Sequence, residues 1–454
     1  MNQNETLLRE GTFPQLLLNL SLPAIVIMVV MVIYNMADVF FIGKLNAPYM
    51  IAAVGLAAPV FSILSGIGTL FGSGGCTVIS LALGGGNRER ARQVSALCFY
   101  GSILFGIVFA AAVLLFLEPV SYLIGADETT IIYTMEYLRV IALFAPVSIF
   151  SNVFLNLIRA DGAAKISMVA NVTGTVANII LDPLFILVFR WGVTGAAIAT
   201  VLGNCASAAI LIWHIRRSGG LYSIRPADGR PRKDVLFPVV SLGLPMAFST
   251  ILMSLSHVLS NNLLMGYDPI ALAAQGIAGK VGMLISMTAM GTCMGMQPAI
   301  SYSYAAGNRE RMRDIVKKLG ILTVLVALAL SVLCFIFREP VLAAFIEDEA
   351  VAAIGTVALM ASVIMGPFYS VYQICTTYLQ ATGRAGFATL TSLLSKGIIY
   401  IPVLFLMNAA WGMYGILFTG TVTDILSLIA AIGLVALASR QESQHTLAKE
   451  NASS

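Results

Sequence analysis

The sequence predicts an all-α integral membrane protein in which twelve transmembrane helices form two six-helix bundles repeated in parallel. Three observations carry that prediction. Of 454 residues, 58% are hydrophobic and 11% charged, with a mean hydropathy of +0.90, whereas soluble domains are roughly 45–50% apolar and about 25% charged. The apolar residues gather into twelve runs of membrane-spanning length, and a polar motif recurs at a fixed distance along the chain. Composition alone excludes a water-soluble globular domain, a disordered chain and a nucleic-acid binder.

A bilayer core about 30 Å thick takes about 20 residues of helix. Runs of that size between polar or Gly/Pro-rich breaks are α1 (16–43), α2 (49–83), α3 (93–117), α4 (130–157), α5 (165–189), α6 (192–215), α7 (236–265), α8 (270–305), α9 (313–337), α10 (351–379), α11 (386–408) and α12 (411–438). Several exceed the minimum, so tilts or kinks are expected. Pro23, Pro59, Pro146, Pro183, Pro245, Pro298, Pro367 and Pro402 fall in or near them, each removing a backbone hydrogen bond. One arginine, Arg9, precedes the apolar run of α1, which continues past Val39 without a small-residue cleavage site and reads as a retained span, not a signal peptide. The cysteines, Cys76, Cys98, Cys205, Cys293, Cys334 and Cys375, stand singly in apolar stretches, as small hydrophobes and not as a disulfide framework or metal site.

Orientation follows from where the basic residues stand. Twenty of the 26 Lys and Arg fall in the N-terminus, the even-numbered loops and the C-terminus, while the odd loops hold Lys44, Arg190 and Arg338. By the positive-inside rule both termini are cytoplasmic, in a multi-pass protein of the inner (cytoplasmic) cell membrane. The outer loops are short and partly acidic (Asp127, Glu128; Glu347, Asp348, Glu349).

The chain is duplicated. Gly86-Asn87-Arg88-Glu89-Arg90-x-Arg92 returns 221 residues later as Gly307-Asn308-Arg309-Glu310-Arg311-x-Arg313. Within two residues the same offset relates Leu22-Pro23 to Leu244-Pro245, Pro146 to Pro367, Ala160-x-Gly162 to Ala381-x-Gly383 and Trp191-Gly192 to Trp411-Gly412. Each half has an even number of spans, so both enter the membrane the same way round, as parallel repeats about an axis along the membrane normal. The expected division is an N-terminal lobe at 1–217, a cytoplasmic linker at 218–235, a C-terminal lobe at 236–440 and a cytoplasmic tail at 441–454. Paired bundles of this kind suit rocking about a central cavity.

A carboxylate at the centre of a spanning helix costs roughly 2.5–3.5 kcal/mol to insert and suggests function by default. Tyr34 and Asp38 stand one turn apart on α1, and Asn178 and Asp182 do the same on α5. Both acids fall in the outer half of the membrane, at the level of Tyr137 on α4 and Thr200 on α6. Together they make a hard-oxygen, protonatable cluster that can hold a shared proton or a small cation such as sodium, the latter at Asp38, Asn178, Asp182 and Thr200. Positions equivalent to the two acids in the second half fall near Ser260 and Ile401, so the pair belongs to one half. The second half has its own charges within spans, Lys280 on α8, Lys396 on α11 and Asp424 on α12, with His257 on α7; a Lys–Asp pair there is either a structural tie or a substrate or coupling site. Methionines including Met31 and Met36 could line an adaptable apolar cavity, although methionine at helical spacing is also ordinary packing.

The run Pro23…Tyr34-Asn35-x-x-Asp38-x-x-Phe41-Ile42-Gly43, the Arg159-Ala160-x-Gly162 turn, the Asn178-x-x-x-Asp182-Pro183 run and the repeated Gly-Asn-Arg turns resemble the multidrug and toxic compound extrusion (MATE) transporters over essentially the whole chain. Among these the chain looks closest to the bacterial and archaeal branch with an acid pair in the N-terminal half. The resemblance implies two V-arranged lobes and export of organic cations and other drugs in exchange for protons or sodium. It implies that Asp38 and Asp182 are coupling acids supported by Tyr34, Tyr137, Asn178 and Thr200, with Asn152 lower on α4, and that Pro23 is a bend responding to protonation. The other branch has an acid on α7, where this chain has His257, Asn261 and Asn262.

The function expected is therefore secondary antiport of amphipathic, often cationic organic compounds, a multidrug efflux by alternating access. The alternative from the same architecture is a flippase for lipid-linked saccharides, which needs a strongly basic cavity. The chain contains no Walker A pattern for an ATP-driven pump, and neither spaced metal-ligand histidines nor a nucleophile motif for an enzyme. No cofactor beyond the coupling ion is implied. The partners expected are a small organic substrate and the bilayer, without nucleic acid or an obligatory protein.

Overall fold

A computed structural model describes residues 3–43, 48–218, 220–230, 232–267, 269–343 and 349–453. Asp38 lies within a helix, but its side chain and that of Met36 are outside what is described, as are residues Lys44, Glu347 and Asp348. The described residues are nearly all helical. Ten helices among them are long and apolar enough to cross a membrane, and the pair Ile131–Leu143 and Ala145–Asp161, bent by 58°, makes an eleventh span. The last apolar helix is broken at Gly412 (φ 57°, ψ −134°) into two spans, so the expected twelve are present.

Boundaries differ from expectation mainly where polar first turns join the helices. α3 begins at Arg88 and α9 at Arg309, several residues before their apolar runs, because Asn87 Oδ1 accepts from Arg90 N and Asn308 Oδ1 from Arg311 N at 2.9 and 3.0 Å. These are N-caps, which satisfy donors a helix start leaves open. Gly86 and Gly307 before them have φ of +74° and +76°, the left-handed region that favours glycine. The duplicated motif is thus a helix-to-helix turn written twice. α12 continues as helix to Ser453, through the stretch expected to be a tail.

Two prolines mark irregular turns. Pro23 offers no N–H to the carbonyl of Asn19, and α1 passes through a π turn at Leu17–Ser21. Pro183 precedes a second π turn at Leu184–Val188, after which Phe185, Phe189 and Trp191 pack with ring centroids 5.1–5.8 Å apart. Outside the spans, Asp127 Oδ1 accepts from the backbone N–H groups of Thr129 and Thr130 (3.1 and 2.9 Å) and from both hydroxyls (2.7 and 2.8 Å). Those bonds hold its carboxyl down at about 2. The linker folds back on the first half: Tyr100 Oη donates to Ile224 O at 2.8 Å and Arg92 pairs with Asp228 at 3.4 Å.

The halves meet through a symmetric crossing. A Cβ on Gly74 of α2 would run into the carbonyl of Val239 on α7, and one on Gly295 of α8 would lie 2.5 Å from Ser21 Cα on α1. Gly74 and Gly295 are 221 residues apart, so each half donates the same glycine to the other, the signature of a two-fold interface. Polar bonds extend this crossing toward the end bearing the Arg-rich turns: Gln297 Nε2 to Thr77 Oγ1, and Gln380 Nε2 to Ser73 Oγ and Leu242 O, all at 2.8 Å. One continuous apolar core joins the halves there, containing Val78 and Leu83 of the first together with Met296, Ile300 and Leu319 of the second. At the opposite end the second half has a separate core around Leu264, Leu359 and Leu404. The molecule is sealed at its basic end.

The N-terminal helix Gln3–Glu10 lies over this seal. Glu5 pairs with Arg88 of the first repeated turn at 2.5 Å, and Arg311 of the second donates to the carbonyls of Leu8 and Gly11 at 3.2 and 2.8 Å. The basic turns therefore bind a segment of the chain as well as carrying orientation charge.

Candidate functional site

Small residues set the geometry of the first-half site. A Cβ on Gly174 of α5 would collide with Ser207 Oγ and stand 2.7 Å from Gly203 O of α6, so glycine there allows the close helix approach typical of membrane bundles. Asn178 is one turn beyond Gly174 and Thr200 three residues before Gly203, so the crossing delivers them to each other. With its amide oriented to satisfy both ends, Asn178 Nδ2 donates to Asp182 Oδ2 and its Oδ1 accepts from Thr200 N, each at 3.0 Å. The Thr200 hydroxyl donates to Ala196 O at 3.1 Å. Asp182 is fully buried and Asn178 nearly so. The result is a carboxylate in the apolar region of the protein, held by an amide that a second helix fixes.

The other members expected from sequence are distributed around this pair. Tyr137 is buried on α4 with its ring 6.1 Å from Phe61, and Tyr34 is half-buried on α1. Asn152 stands lower, as its position along α4 implies: it packs on Gly68 of α2 and accepts at its carbonyl from Asn156 Nδ2 at 2.8 Å. Asn156 Oδ1 in turn accepts from the buried Arg159 at 2.5 Å. Pro23 adjoins the π turn of α1 described above. Met31 is 47% exposed, consistent with a surface or cleft position and not a packed core.

The second half brings three of its four expected residues together. Lys396 Nζ lies 3.9 Å from Asp424 Oδ1 and 5.3 Å over the ring of Tyr369. Ser256 Oγ donates to Lys396 O at 2.9 Å, which places His257 beside the pair. Lys280 is not joined to this cluster by a hydrogen bond or ion pair. Both Lys280 and His257 lie within spans as expected, but their side chains are exposed and not packed within the protein. His257 follows Ser254, whose hydroxyl meets Ser62 of α2 at 3.0 Å, and Lys280 stands three turns before Gly291, which packs on Ile25 of α1. Among the described residues, no three His, Cys, Asp or Glu side chains gather as a metal site would require.

Sequence reasoning missed the amides that join the halves, Gln297 and Gln380. Their signal was available, since an amide inside an apolar span calls for a partner, but the partners were in the other half.

This architecture of two repeated bundles matches known proteins over most of the chain. The MatE family model matches residues 23–184 and 245–406, one copy in each half. The multidrug export protein MepA of Staphylococcus aureus strain MRSA252 is 31% identical over 421 residues, 93% of each chain. That of strain N315 is 32% identical over 424 residues, again 93% of each. The chain belongs to the MatE family, whose members are membrane transporters and not enzymes. Among solved structures, a multidrug resistance MATE family transporter of the MOP superfamily in an outward-facing conformation superposes with a TM-score of 0.89 at 22% identity, covering 96% of this chain and 98% of that one. A MOP superfamily transporter from Pyrococcus furiosus gives 0.88 at 22% identity with the same coverage. These likenesses show the fold.

Proposed function

We propose that this chain is a secondary antiporter of the cell membrane that exports amphipathic, often cationic organic compounds in exchange for protons or sodium. The observation that carries the reading is Asp182, a buried carboxylate bonded by the Asn178 amide, which the Thr200 backbone N–H fixes in turn, in one half of a duplicated transporter fold. Relatives named as multidrug export proteins support the substrate class. In this reading both termini are cytoplasmic, so the basic end, where one apolar core joins the halves, faces the cytoplasm, and export proceeds by alternating access.

In this reading Asp38 and Asp182 bind the coupling ion, with Asn178, Tyr34, Tyr137 and Thr200 shaping the site. Protonating or binding sodium at a buried carboxylate changes its charge, and helix packing in low dielectric responds strongly to charge. The irregular turn below Pro23 gives α1 a point at which to bend in response. Asn152 and Met31 serve substrate binding or gating in this reading. Neither a cofactor nor an obligatory protein partner is needed.

Transport in proteoliposomes, with proton and sodium gradients imposed separately, tests this. Asp38→Asn and Asp182→Asn are expected to insert normally and to lose gradient-driven export. Full efflux in both variants would overturn the coupling assignment.

A further inference from the structure

We infer that the second half carries a recognition site for an organic anion, in which Lys396 binds a carboxylate or phosphate group at its exposed side. This deepens the exporter reading and rests on it. Asp424 is buried behind the lysine, with 4% of its side chain exposed against 21% for Lys396. At 3.9 Å the pair is close enough to neutralise charge but too far for a hydrogen bond. Among the described residues Lys396 Nζ makes no hydrogen bond, and its charge is balanced by the more deeply buried Asp424. Asp424 Oδ2 is buried with no hydrogen-bond partner, so the carboxylate serves the lysine as a counter-ion and not as a saturated structural tie.

Lys396 is partly exposed and lies among other nitrogen-bearing side chains of the second half. Lys396 is held in place through its own carbonyl, which Ser256 engages, within the π turn Leu394–Ile398. His257 is exposed beside it and Lys280 is exposed on the neighbouring span. The ring of Tyr369 under the ammonium fixes the lysine by a cation–π contact and offers an aromatic surface to a ligand. The halves thus differ in polarity, acidic at Asp182 and basic at Lys396. A compound bearing both an ammonium and a carboxylate would find a counterpart for each.

The test is equilibrium binding to the purified full chain with four probes: a fluorescent aryl carboxylate, its methyl ester, a lipophilic cationic dye and a short-chain phosphatidylglycerol. Wild type is expected to favour the acid over the ester. Lys396→Gln/Asp424→Asn, which removes both charges and so leaves no buried ion alone, is expected to lower the acid-to-ester affinity ratio about tenfold, the worth of one charge-assisted hydrogen bond. Lys396→Arg is expected to restore most of the ratio. If the phospholipid shows the loss and the soluble acid does not, the anion is a lipid headgroup. If neither responds while the cationic dye still binds, the anion site is overturned and the exporter reading stands. If no probe binds wild type, both fail.

Discussion

Asp182 and Asn178 show how little energy decides a site of this kind. Hydrogen bonds between membrane helices average about 0.6 kcal/mol and reach about 1.7, so Asn178→Ala is expected to lower stability only slightly. Its effect on function is expected to be far larger, because the amide is what fixes the Asp182 carboxylate against α6. Transport by Asn178→Ala should fall by tenfold or more with a small change in Tm; a loss confined to Tm would make the amide a mere cross-link. Asp127 supports a prediction of another kind. Its folded carboxyl titrates at about 2, chiefly through the hydroxyls of Thr129 and Thr130, below the usual value near 4 of an unfolded aspartate. A depressed folded value means stability that is complete above the unfolded value and lost as pH falls toward the folded one. The Tm deficit of Asp127→Asn, present at pH 7, should therefore shrink as pH is lowered from about 4 toward 2, and a deficit independent of pH would show that the charge does not contribute. The Asn178–Asp182 pairing was legible in the sequence because both residues share one helix face. The partner Thr200 was placed only by depth, and the exposure of His257 and Lys280 was not legible, since it depends on how neighbouring helices pack.

At the scale of elements, glycines decide which helices touch. Gly74 and Gly295 stand at equivalent positions and admit the backbone of the opposite half, so a methyl group at either must displace α7 or α1. Overpacking of this kind costs about 1–3 kcal/mol. Gly433 on α12 has open space where a Cβ would stand and is the matched comparison. Gly74→Ala and Gly295→Ala are each expected to lower Tm by several degrees in detergent, and Gly433→Ala to leave it within error; equal stability of the three would remove the crossing as a determinant of the closed basic end. The helices themselves were readable from apolar run length, and the repeated turns from five identical residues. That Asn87 and Asn308 are caps explains why the turns repeat so closely: a left-handed glycine followed by a capping side chain leaves few alternatives. The crossing was hidden because its glycines resemble any others in an apolar span.

For the whole molecule, the halves share one apolar core at the basic end, and Ser62 and Ser254 meet farther along the same seam, away from that end. Their hydroxyls are 3.0 Å apart across the halves, while Ile251, one turn earlier on α7, touches Gly66 deeper in the same seam. If the halves rock about the glycine crossing, opening the basic end must change the distances along this seam, and a covalent bond at Ser62–Ser254 would hold one state. A disulfide requires Cβ atoms about 3.5–4.5 Å apart, a span that two side chains already in hydroxyl contact can meet. Ser62→Cys/Ser254→Cys is therefore expected to cross-link under mild oxidation, identifiable by peptide mass despite the six native cysteines, three of which are buried. The oxidised protein should bind a lipophilic dye from the open side and fail to transport it, and reduction should restore transport. A cross-linked protein that exports at the full rate would show that the two halves do not move against each other at this level, and alternating access would then have to arise within one bundle.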